Sequence, residues 1–133
     1  MKEYIKILKK LNNKAKNNGD IPVSAIIIKD NKIISKAYNQ KYKNNNPLDH
    51  AEILAIKKAC KKLNTTNLMD CELIVTLKPC DMCMNVINEC RLKKVYYFAD
   101  RLKQINNTTK CEQINDENLY FSKEISDFFK KKR

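Results

Sequence analysis

The chain has 133 residues, 43% of them apolar, which is enough to bury a core as one domain and excludes a disordered chain. No apolar run is long enough to cross a bilayer and Met1-Lys2-Glu3-Tyr4 does not begin a signal peptide, so the six cysteines read as thiols in a reducing, cytoplasmic setting. A net charge of +12, from 27 Lys+Arg against 15 Asp+Glu, favours polyanionic partners, nucleic acid first, although lysine and asparagine abound everywhere, as genomic base composition can cause.

Lys2 to Lys16 predicts a first helix, with Tyr4, Leu8, Leu11 and Ala15 on one stripe. Asn17-Asn18-Gly19-Asp20 ends it, and Gly19, the only glycine, suits a left-handed C-cap. Val23 to Lys29 and Lys32 to Tyr38 read as strands joined by a two-residue hairpin turn, Asp30-Asn31. Asn39 to Asp49 is a polar loop. His50 to Leu63 is helical, with Ile53, Ile56, Cys60 and Leu63 on one face, and Asn64-Thr65-Thr66-Asn67 breaks it. Glu72 to Leu77 is a strand whose apolar run suits burial on both faces. A helix from Cys80 to Cys90 and an apolar strand from Lys94 to Ala99 follow. Arg101 to Asp116 is weakly patterned, with a loop at Asn106-Asn107-Thr108-Thr109. Phe121 to Lys131 closes the order as a helix with Phe121, Ile125, Phe128 and Phe129 at helical spacing. A hairpin followed by alternating strands and helices implies an α/β fold, a mixed sheet with helices on both faces. No repeat and no domain boundary interrupts residues 1–133. Cys60, Cys71, Cys90 and Cys111 are expected to be small buried apolar residues.

Two stretches carry chemistry: His50-Ala51-Glu52 and Pro79-Cys80-Asp81-Met82-Cys83. Each falls at a predicted helix start, where unpaired N–H groups and the helix dipole ease formation of a thiolate. Cys80 and Cys83 share one face of the first turn and can reach one metal. One imidazole and two thiolates suit zinc, and three protein ligands leave the fourth position open, the mark of a catalytic site. Glu52 lies two residues past His50 and does not share its direction, so it reads as a proton carrier rather than a ligand. Alone, the only histidine is most simply a packed or surface residue, and a lone Cys-x-x-Cys a redox pair or half a structural zinc knuckle. Together, in this order, they form the pattern of zinc nucleobase and nucleoside deaminases, with one zinc per chain.

The wider sequence resembles the bacterial-type tRNA-specific adenosine deaminases. The resemblance rests on Pro22-Val23-Ser24-Ala25, on Tyr38-Asn39, and on the run from Pro47 to Ile53. It continues through Val75-Thr76-Leu77-Lys78-Pro79-Cys80-Asp81-Met82-Cys83, Ala99-Asp100, and Ser126-Asp127-Phe128-Phe129 before a basic tail. It implies the three-layer α/β/α fold of the cytidine-deaminase type and a homodimer. It also implies hydrolytic deamination of the wobble adenosine of a tRNA anticodon loop to inosine, through a zinc-activated hydroxide with Glu52 as proton shuttle. By the same resemblance Asn39, Val23, Ala51, Pro79 and Asp100 are substrate-binding residues. Lys130, Lys131, Lys132 and Arg133 are candidate phosphate contacts, against the plainer reading of a solvated tail. Three positions depart from the family pattern: Lys78 stands for the usual glutamate, Ser24 for a glycine, and the segment between Asp100 and Tyr120 is short. Two alternatives remain beside this reading: a zinc deaminase of a free base or nucleoside, of guanine or cytosine type, and a non-catalytic RNA-binding subunit with structural zinc. The presence of Glu52 argues against the second.

Overall fold

The computed structural model describes residues 1–101 and 109–131. The expected loop at Asn106-Asn107-Thr108 lies outside them, as do Lys132 and Arg133. Helix α1 spans Lys2–Asn17, followed by strands β1, Ser24–Lys29, and β2, Lys32–Tyr38. Helix α2 spans Ala51–Leu63, β3 Glu72–Leu77, α3 Asp81–Glu89 and β4 Lys94–Ala99. Strand β5, Lys110–Gln113, a short 3-10 turn at Glu117–Leu119 and α4, Tyr120–Lys131, complete the order.

The sheet runs β2-β1-β3-β4-β5. β1 pairs antiparallel with both β2 and β3, whereas β3–β4 and β4–β5 are parallel. The hairpin turn has φ of 52° at Asp30 and 63° at Asn31, the left-handed pair that matches the twist of the flanking strands. Gly19 sits at φ 75° after α1. Its N–H bonds the Lys16 carbonyl at 3.0 Å and the Asp20 N–H bonds that of Ala15 at 2.9 Å, so the helix ends in a Schellman motif.

β3 is central, and Leu73, Ile74 and Val75 are wholly buried between helices on its two faces. One face carries α1 and α4. Ser24 Oγ donates to the Leu8 carbonyl at 3.0 Å, and Phe98 of β4 packs on Phe121 of α4 with centroids 5.1 Å apart. The other face carries α2 and α3, where Ser35 Oγ donates to the Ala55 carbonyl at 2.7 Å. Each fully buried Leu, Ile or Phe in this core stabilises by about 1.5–3 kcal/mol. Cys71 and Cys90 are core residues, and Cys60 and Cys111 pack half-buried against the core.

The strand β5 was not legible in the weakly patterned stretch. It has four residues, Lys-Cys-Glu-Gln, of which only Cys111 is even half-buried, and it sits at a sheet edge. Hydrogen bonding to β4, not apolar alternation, makes it a strand. Among the described residues no helix is long and apolar enough to cross a membrane.

Candidate metal centre and substrate pocket

His50 and Cys80 are the N-cap residues of α2 and α3, with extended backbones (φ −74° at each). Their carbonyls start the helices, accepting from Leu54 N–H at 3.0 Å and Met84 N–H at 2.8 Å. Neither side chain caps its own helix, so both remain available to a ligand. His50 Nδ1 lies 3.8 Å from Cys80 Sγ and 3.5 Å from Cys83 Sγ, and all three donor atoms fall within 4.8 Å of one another.

The residues fit zinc. Bonds of about 2.3 Å to sulfur and about 2.0 Å to nitrogen put neighbouring ligands of a tetrahedron about 3.5 Å apart, close to the spacing found. The two thiols divide their acidity. A hydrogen bond from Cys83, with another from His50, pulls the Cys80 thiol down to about 3. Cys83 is pushed up by its hydrogen bond to Cys80 and by burial. The Cys80 hydrogen bond holds the His50 imidazolium above its ordinary value, although burial opposes it. A Cys80 thiolate hydrogen-bonded by the His50 imidazolium and the Cys83 thiol is a donor set from which a divalent cation displaces the remaining protons.

Glu52, in the first turn of α2, is 2% exposed, and its Oε1 has no hydrogen-bond partner. Burial raises its pKa, so the carboxyl holds a proton more readily than a surface glutamate. A buried carboxylate oxygen left without a protein partner beside a metal triad is where a reacting water or base is expected to bond.

The triad opens into a cavity of about 500 Å³ lined by His50, Glu52 and Cys80. Asn39, Val23 and Asp100, expected from sequence, line it too. Asn39 Oδ1 accepts the Ala51 N–H at 2.8 Å and its own N–H bonds the Val23 carbonyl at 3.0 Å, which fixes the amide between β1 and α2. Its Nδ2 has no partner among the described residues and remains as a donor to the cavity. Ala51 and Pro79 are buried beside the ligands and do not line the cavity. Lys130 and Lys131 line a separate groove with Lys16, Gly19 and Phe128. Lys78 is also outside the cavity: its Nζ sits 5.4 Å from the centroid of Tyr97. The charge it reverses therefore meets an aromatic face rather than the substrate space.

Other wall residues escaped the sequence reading. Lys41 and Tyr42 come from the polar loop, Arg101 from the edge of the weak segment, and Phe129 from the final helix, where only helical spacing and family resemblance mark it in the sequence. Phe129 is 47% exposed, and helical spacing alone could not separate it from the buried Phe121 or the half-buried Ile125 and Phe128. Asp20 was a signal in retrospect. It is wholly buried and accepts the N–H groups of Tyr42 and Lys43 at 2.7 and 3.3 Å, clamping that loop to the cavity.

A mixed α/β sheet whose helix N-termini gather one histidine, two cysteines and a buried glutamate beside one cavity has the make-up of a zinc deaminase centre. The family profile of the cytidine and deoxycytidylate deaminase zinc-binding region matches residues 1–99, and the chain belongs to that family. It is similar to a tRNA-specific adenosine deaminase of Aquifex aeolicus, 40% identical over 99% of this chain and 96% of the relative. A solved guanine deaminase of Bacillus subtilis superposes with a TM-score of 0.69 at 29% identity, over 92% of this chain and 91% of that one. The fold also matches a structure from work on A-to-I editing by tRNA:A34 deaminases at the wobble position of transfer RNA. There the TM-score is 0.77 at 24% identity, over 85% of this chain and 98% of that one.

Proposed function

We propose that this protein hydrolyses the wobble adenosine of a tRNA anticodon loop to inosine and ammonia. The observation that carries the reaction type is Glu52, a buried carboxylate with an unbonded oxygen next to the His50-Cys80-Cys83 triad. The substrate class is supported by the Aquifex relative, which matches this chain from end to end, and by the net charge of +12.

His50, Cys80 and Cys83 would hold one zinc ion. When bound, it would act as a Lewis acid and bring the pKa of water to about 7. Glu52 accepts the proton of the attacking water and delivers it to the purine ring nitrogen; its raised pKa suits it to hold that proton between steps. Asn39 offers Nδ2 to the edge of the base, and Val23 and Leu77 supply apolar wall that keeps other water out. Ala51 acts through its N–H, which orients Asn39, and Pro79 fixes the approach to Cys80. Asp100 is an acceptor at the rim for a ribose hydroxyl. A loop base reaches such a site without melting a duplex.

The working unit is read as a cytoplasmic homodimer on the family resemblance. The continuous core across both faces of the sheet supports residues 1–133 as one domain. The guanine deaminase likeness favours a second reading, in which a free purine fills the same cavity.

The deciding experiment measures inosine in an unmodified anticodon stem-loop RNA carrying a wobble adenosine, with zinc quantified in the same preparation. Inosine with about one zinc per chain is expected. Zinc without inosine, together with ammonia release from free guanine, would replace this reading by the second.

A further inference from the structure

We propose that Arg101 binds a phosphate flanking the nucleotide whose base enters the cavity, an inference that rests on the nucleic-acid reading above. Arg101 is half-buried and lines the same cavity as His50, Glu52 and Cys80. Its Nε donates to the main-chain carbonyl of Lys78 at 2.5 Å, while the Lys78 N–H donates to the Ala99 carbonyl at 2.8 Å. The guanidinium is thus tied at one corner to the strand of backbone that delivers Cys80 two residues later.

A guanidinium carries five N–H donors, and this tether uses one. Among the described residues no carboxylate pairs with Arg101; the two ion pairs present join Lys16 to Glu124 and Lys94 to Glu112. Asp100, its neighbour in sequence, turns Oδ1 onto the main-chain N–H of Arg101 at 2.7 Å instead. Lys41, the other long cation on the cavity wall, lies over the Tyr42 ring at 5.3 Å. Arg101 is therefore an oriented cation, partly withdrawn from water, that forms no ion pair among the described residues, although the buried Glu52 of the same cavity feels its charge. Its planar fork matches two oxygens of one phosphate. A cavity of about 500 Å³ takes a flipped base and its sugar, leaving the phosphate at the wall where the backbone turns away. A free base would bring no anion to this place.

The rival role is a staple between Lys78 and Arg101 with no ligand. Two stem-loop RNAs separate them, each with one uncharged methylphosphonate linkage, placed 5′ or 3′ of the target adenosine. They are compared with unmodified RNA on the wild type and on Arg101→Gln, which keeps a donor for the Lys78 carbonyl and removes the charge. Zinc content reports that the fold is intact. In the wild type, one of the two neutral linkages should weaken binding and raise KM about ten- to a hundredfold. In Arg101→Gln, unmodified RNA should already show that loss and the neutral linkage should add little. The slope of log binding constant against log salt should also fall by about 0.7. If Arg101→Gln keeps the wild-type response to both linkages while the wild type makes inosine, the inference is overturned alone. If the wild type makes no inosine from the unmodified RNA, the proposed function falls and this inference with it.

Discussion

The two walls of the cavity are held in different ways. On the side of the candidate metal centre, His50, Glu52, Cys80 and Cys83 stand at the starts of α2 and α3, the first two after the loop at 39–49 and the cysteines just past the buried strand β3. Backbone hydrogen bonds set their positions. On the opposite wall, Ile125 and Phe129 come from α4, a helix that touches the rest of the molecule chiefly through side chains. Phe121 packs on Phe98, Glu124 bonds Asn12 at 2.7 Å and Lys16 at 2.6 Å, and Asp116 accepts the N–H groups of Phe121 and Ser122 at 3.0 Å. The candidate metal centre thus rests on helix starts fixed by the backbone, and the α4 wall on a few replaceable side-chain contacts. Change on one wall should leave the other working.

Metal removal tests the first half of that contrast most severely. Chelation should abolish deamination and lower the melting temperature, and added zinc should restore both. A ligand present at a thousand times its Kd contributes about 4 kcal/mol to the native state. Activity that survives in protein shown to be metal-free would remove the centre from the mechanism.

Glu52→Ala is next in size. Loss of a proton carrier should reduce the rate by about 10²–10⁴-fold while zinc stays bound. Stability should hold or rise, because a buried carboxylate with an unbonded oxygen is a liability to the fold. A fully active variant would contradict the assigned role.

The same contrast explains what could be read from the sequence. The four residues of the candidate centre lie in two short stretches, because a helix N-terminus brings side chains two and three positions apart close to one point. Spacing along the chain therefore carries spacing in space. The hairpin and the end of α1 were legible for a similar local reason: Asp30-Asn31 and Gly19 are residues that accept positive φ. The wall residues have no such local signature. Tyr42 reaches the cavity because Asp20, 22 positions earlier, holds its N–H, and Arg101 because its guanidinium finds the Lys78 carbonyl. Lys78 could not be judged from its charge, since only the fold shows that it faces Tyr97. β5 was hidden because an edge strand needs no apolar alternation.

Glu124→Gln tests the second wall. Glu124 is 9% exposed, and the change breaks its charged bond to Lys16. A loss of about 1.5–3 kcal/mol is expected from urea denaturation. If the walls are separable, zinc content should be unchanged and KM for the stem-loop RNA should rise with little change in kcat. An equal fall in kcat would show that α4 reaches the chemistry itself.

The smallest effect is expected from Lys130→Ala and Lys131→Ala at the end of α4. Both side chains lie beside a groove separate from the cavity, so neither should alter kcat. If they meet RNA phosphates, each should make the salt dependence of binding shallower, by about 0.7 in the logarithmic slope. A solvated tail would lower the net charge without that step, since distant charges are screened within about 10 Å at 0.1 M salt. An unchanged slope in the double variant would confine RNA contact to the cavity wall and leave α4 to act through Ile125 and Phe129 alone.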